Sequence, residues 1–151
     1  MSKAACQRRL DLKHVGCLYT FDAPVGETIC TYCGENATTL DHVLPISAAV
    51  SLYDVIATDR ARYRHGLKLV PCCRDCNTRL GGRFFTCVSD KRAALAKLLA
   101  RKYGRLLGTY DWQDEDLTNM GRMLQTYIVH KDSKRKAVED RIRFARTGGR
   151  I

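Results

Sequence analysis

The chain has 151 residues, 45% of them hydrophobic, and a formal net charge of +10. That length and apolar content suit one compact domain, with or without an appendage, and exclude a disordered polyelectrolyte. No apolar run reaches about eighteen residues, which excludes a membrane-spanning helix, and the excess of base points to a polyanionic partner.

Met1 to Arg9 carries basic residues with no apolar stretch behind them, so no secretory signal is expected and a reducing, cytoplasmic setting follows. In that setting the eight cysteines stay as thiols, and Cys-x-x-Cys pairs favour zinc over disulfides. Gln7 to Leu18 has the pattern of a short amphipathic segment, and Asp22-Ala23-Pro24-Val25-Gly26 reads as a turn. Cys6 and Cys17 have no close cysteine partner and are expected to be small buried residues. His14 has no chemical companion nearby in sequence.

Cys30-Thr31-Tyr32-Cys33-Gly34 has the form of a zinc knuckle, with Gly34 supplying the permissive backbone of the turn. A redox Cys-x-x-Cys is the rival, but that motif usually opens a helix after a strand, and no such pattern precedes Cys30. Ala37 to Val43 predicts a strand that Pro45 ends. Near its end, Asp41-His42 sets a charged oxygen ligand beside an imidazole base. Ile46 to Ile56 predicts a short helix from the spacing of Ala48, Ala49, Leu52, Tyr53 and Ile56. Asp59 to Gly66 is a basic loop, either a solvated connection or an arm that contacts phosphates through its arginines.

Lys68-Leu69-Val70-Pro71 predicts the second strand of a hairpin. Cys73-Arg74-Asp75-Cys76 then repeats the spacing of Cys30 and Cys33 after a gap of 39 residues. Two such pairs are a strong zinc signal, and four thiolates leave no open position for water, so the ion would be structural. Cys72 stands as an alternative ligand. A short helix is expected from Arg74 to about Leu80, stopped by Gly81-Gly82. Arg83 to Val88 is apolar enough to be buried.

From Ser89 the chain turns helical and basic. Ala94, Leu95, Leu98, Leu99 and Leu106 give one apolar face. A second helix follows with Leu117, Met120, Met123, Leu124, Tyr127 and Ile128 as its stripe, then a separate charged segment from Ser133 to about Arg146. Trp112 is expected to be a core residue locking these helices. His65 and His130 are expected at the surface. The expected class is α+β, divided into an N-terminal segment 1–29, a zinc-stapled core 30–88 and a basic helical extension 89–151.

Cys-x-x-Cys, then Leu-Asp-His-Val-x-Pro, then Leu-Val-Pro-x-Cys-x-x-Cys-Asn resembles the HNH endonuclease family of the ββα-metal fold. The resemblance spans about residues 30 to 88. It implies that His42 is the general base toward water, suited by an imidazole's near-neutral pKa. It further implies that Asp41 and Asn77 hold one magnesium or manganese ion through oxygen, while Cys30, Cys33, Cys73 and Cys76 hold structural zinc. The implied substrate is nucleic acid, DNA foremost, with Lys68, Arg74, Arg79 and Arg83 flanking the site as backbone contacts. An origin in a phage or mobile element is implied by resemblance alone.

The chain departs from the family pattern at Lys68, where many members carry Asn, and at Leu80, where a basic residue is common. A helix also replaces the glycine-rich turn after the proline. These departures sustain a second expectation, a non-catalytic zinc module that binds nucleic acid or a protein partner.

Overall fold

A computed structural model describes residues 3–21 and 28–149. The expected turn at 22–26 and the side chain of Cys6 lie outside the described part. The chain folds as α+β, with a three-stranded sheet surrounded by helices. No helix among the described residues is long and apolar enough to cross a membrane.

Helix α1 (Lys3–Val15) leads through a single 3-10 turn into β1 (Thr20–Phe21). β2 (Thr39–His42) ends before Pro45, and α2 (Ile46–Ser51) and α3 (Tyr53–Thr58) follow in place of one continuous helix. The break falls at Leu52 (φ −108°), just after Ser51 turns its hydroxyl back onto the Ser47 carbonyl, a bond that bends helices. The expected basic loop instead forms one short helix, α4 (Arg60–Tyr63), capped by the Asp59 carboxylate, which accepts from the Arg62 N–H.

β3 (Lys68–Cys72) is the central strand. It runs parallel to β1 and antiparallel to β2, with Asp41 opposite Val70 and His42 opposite Leu69. Pro71 does not close the strand. The Val43 N–H donates to the Lys68 carbonyl, so bonded pairs alternate with unbonded ones and Leu40–Pro71 is unbonded. On the far side β1 reaches only Lys68 and Leu69, so proline's missing donor goes unused.

α5 (Arg74–Leu80) starts from Cys73, whose sulfur accepts from the Cys76 N–H, and stops at Gly81 with φ +51°. The segment after it is not buried: Arg83, Phe84 and Thr86 are exposed, and only Phe85 and Val88 pack on the core. Arg83 and Thr86 interrupt its apolar residues, so the segment crosses the surface and turns only part of them inward. α6 (Val88–Lys102), α7 (Gly104–Leu107), α8 (Asp114–Thr118) and α9 (Arg122–Thr147) complete the chain. α9 is one helix of 26 residues where two segments were expected, because no glycine or proline stands between Ile128 and Ser133 to break it.

Strand alternation divides the core. Val43, Val70 and Cys72 fall on one face, packed with Tyr32, Leu80, Leu95, Leu99, Val138 and Ile142. Leu44 and Leu67 fall on the other, packed with Val15, Ile46 and Ile56. Thus α6 and α9 share the core that contains the cysteines. Trp112, expected in the core, is 42% exposed, and Met123, Leu124 and Tyr127 of the expected stripe face solvent. Cys17 is exposed and Cys87 half-buried beside Ser89. His14 stacks obliquely on Tyr53 at 4.5 Å.

Candidate functional site

The two cysteine pairs meet. The sulfurs of Cys30, Cys33, Cys73 and Cys76 all lie within 4.8 Å of one another, with Cys33 and Cys73 3.7 Å apart. Zn–S bonds of about 2.3 Å in a tetrahedron place sulfurs about 3.8 Å apart, so the cluster has the size and chemistry to hold zinc. Gly34, at φ +78°, makes the turn after the first pair, and its N–H donates to the Cys30 carbonyl. The Cys72 thiol stands outside the quartet and donates to the Cys73 carbonyl. Hydrogen bonds from Cys33, Cys72 and Cys76 hold the Cys30 thiol far below its ordinary range, while the bond to Cys30 pushes Cys33 up to about 12.

The C-terminal helices brace this cluster. Arg141 of α9 donates to Asp75 Oδ2 at 2.7 Å and lies 3.8 Å from Cys76 Sγ; its Nε is buried with no partner among the described residues. Arg79 also binds Asp75, at 2.8 Å. Burial pushes the Asp75 carboxyl up, but the bonds from Arg79 and Arg141 outweigh it and hold that carboxyl below its usual range. Arg92 of α6 donates to the Thr31 carbonyl at 2.7 Å inside the first cysteine pair.

Asp41 and His42 are adjacent on β2, so their side chains leave opposite faces of the sheet. Asp41, 7% exposed, faces the cysteine side. Its Oδ2 accepts from the Tyr32 hydroxyl at 2.6 Å and from the Lys91 ammonium at 2.6 Å. Lys91 is fully buried and also donates to the His42 carbonyl at 2.8 Å. Burial first, then the Asp41 charge, push the Tyr32 hydroxyl well above its ordinary range, which keeps it a donor. The His42 ring meets Tyr19 edge-on at 4.6 Å, and the Tyr19 hydroxyl is itself tied to the Leu44 carbonyl at 2.7 Å.

Both residues nevertheless line one cleft of about 600 Å³ at the strand end, walled by Arg74, Asn77 and Thr78 of α5, Ile46 and Ser47 of α2, and Gln7 and Asp11 of α1. Asn77 reaches back to β2: its Nδ2 donates to Thr39 Oγ1 and to the Leu40 carbonyl, both at 3.3 Å. Its Oδ1 is the atom left to accept or to ligate. Of the four basic residues expected to flank the site, Arg74 lines the cleft and is exposed. Arg79 is engaged with Asp75, Arg83 lies exposed beyond α5, and Lys68 is half-buried at the start of β3.

Sequence reasoning missed Lys91, Tyr32, Gln7 and Asp11. Tyr32 stands inside the Cys30–Cys33 motif, but nothing in its spelling names Asp41 as its partner. Lys91 is one base among many at the start of α6. Comparison of the chain with models of known families, with curated proteins and with solved structures finds no match.

Proposed function

We propose that the chain is an HNH-type endonuclease that hydrolyses DNA phosphodiester bonds, with His42 as general base. One observation carries the reading: an antiparallel pair of strands followed by α5 brings Asp41, His42, Asn77 and Arg74 to one cleft beside a four-cysteine cluster. His42 borders the cleft where a water would be deprotonated, its ring steadied by Tyr19 and its backbone by Lys91. Arg74 suits the scissile strand's phosphates. The Asp41 carboxylate and the Asn77 amide oxygen are hard donors of the kind magnesium and manganese take, and such an ion supplies charge neutralisation at the phosphate. The cysteine cluster would hold zinc as a staple and takes no part in the chemistry.

One specific observation favours a second reading. Asp41 already has a cation, Lys91, at 2.6 Å, and its side chain leaves the opposite sheet face from His42. An Asp41 spent on Lys91 suits a zinc-stabilised module that binds nucleic acid without cutting it.

The deciding experiment is nicking of supercoiled plasmid by zinc-loaded protein with magnesium or manganese added. His42→Ala, checked for fold and zinc content, should lose roughly 100- to 10,000-fold in rate, the contribution of a general base. Equal cutting by both proteins would remove His42 from the reaction. Binding without cutting by wild type on every DNA form tried would leave the binding module.

A further inference from the structure

Where the link between α7 and α8 meets the first half of α9, three aromatic rings remain in water. Tyr110 is 65% exposed, Trp112 42% and Tyr127 61%, and none belongs to either core cluster. With Leu124, Ile128 and Lys131 they line a cleft of about 220 Å³. That is below the roughly 300–1,000 Å³ of a site for a drug-sized ligand and suits a single flat ring system.

The polar surroundings narrow the occupant. Tyr110 and Trp112 hold each other edge to face, with centroids 4.9 Å apart at 74°. The Lys131 ammonium lies 5.8 Å over the Tyr127 ring and makes no ion pair among the described residues. Asp132, which also lines the cleft, and nearby Asp111 are already compensated: both bind Arg135, and Asp132 also binds Lys136. Asp114, Glu115 and Asp116 of α8 do not line the cleft. Exposed rings beside a cation, on a chain of net charge +10, are how proteins hold single-stranded nucleic acid, since every base presents a π face for stacking.

We infer that this cleft receives an unpaired base of a single DNA strand, stacked on the aromatic rings, with Lys131 meeting the adjoining phosphate. The choice of DNA rests on the nuclease reading above; the base-stacking chemistry does not. The cleft would grip a frayed or displaced strand, so the preferred substrate would carry an unpaired segment.

Trp112 is the one tryptophan of the chain, so its emission reports on this cleft alone. Zinc-loaded full-length protein, with no magnesium or manganese added, is titrated with oligothymidylate while strand anisotropy is followed in parallel. The expected result is saturable quenching of Trp112 at the same midpoint as the anisotropy change. Tyr127→Ala should weaken binding roughly 5- to 150-fold, the range of one base–aromatic stack, and Tyr127→Phe should bind as wild type does. Quenching by oligothymidylate in protein that nicks no plasmid would sink the nuclease reading alone, and nicking without quenching would sink this one alone. Strand binding with unchanged Trp112 emission would overturn the proposal, placing the strand on other basic surfaces. Emission that shifts with protein concentration and no DNA would overturn it in favour of a second copy covering the rings. Tighter quenching by oligouridylate would overturn the assignment to DNA.

Discussion

Replacing Lys91 by methionine tests how the strand end is held together. The ammonium is fully buried and bonded to Asp41 Oδ2 at 2.6 Å and to the His42 carbonyl at 2.8 Å; the Asp41 side chain is only 8% exposed. Methionine keeps most of the stem's bulk but leaves the carboxylate buried, with the Tyr32 hydroxyl as its remaining partner among the described residues. Removing one member of a buried ion pair costs about 3–5 kcal/mol. With an unfolding entropy of about 2.1 cal/mol/K per residue over 151 residues, that lowers Tm by roughly 9–16 °C. The assay is thermal and urea unfolding followed by circular dichroism at saturating zinc, because lost zinc would by itself lower stability. The double variant K91M/D41N leaves no buried charge, and its loss should be smaller than the summed single losses by roughly 0.5–3 kcal/mol. A K91M shift under about 3 °C, together with additive single effects, would refute the coupling.

The cysteine geometry expects one zinc per chain. Cys76→Ser should lose it on dialysis while Cys72→Ser keeps it, as read by elemental analysis; the opposite pattern would put Cys72 in the ligand set. At Gly34 a Cβ would meet the Phe144 ring at 2.8 Å, on a backbone with φ +78°. Gly34→Ala should therefore cost at least the ~1–2 kcal/mol of a left-handed non-glycine residue, about 3–6 °C in Tm, and an unchanged melting curve would refute the turn as described.

Each cysteine pair was legible because its spacing is local; that the two pairs meet across 39 residues is a tertiary fact. Cys30 and Cys33 share one turn that Gly34 follows at φ +78°, and Cys73 and Cys76 share the first turn of α5, so each spacing brings two sulfurs together. The strand carrying Asp41-His42 and the helix carrying Asn77 were legible for the same reason: Pro45 and Gly81-Gly82 punctuate them. The long final helix runs unbroken through its charged half because charge density alone does not stop a helix where no glycine or proline stands. Trp112, expected to lock the helices from the core, lies outside both clusters, which other residues fill, and its ring is partly in water.

By itself the sequence determined the α+β class, the four ligands that can hold zinc and the hairpin-and-helix order around Asp41, His42 and Asn77. Those features depend on spacings of a few residues, which the backbone's own geometry enforces. Only the tertiary structure decided that Asp41 and His42 leave opposite faces of the sheet yet border one cleft. It alone drew Lys91 in from 50 residues away to hold the carboxylate, set Arg141 beside Cys76 from 65 residues away, and left three aromatic rings outside the core. A buried charge must find its counter-charge, but which of the chain's many cations reaches it is settled only when the elements pack.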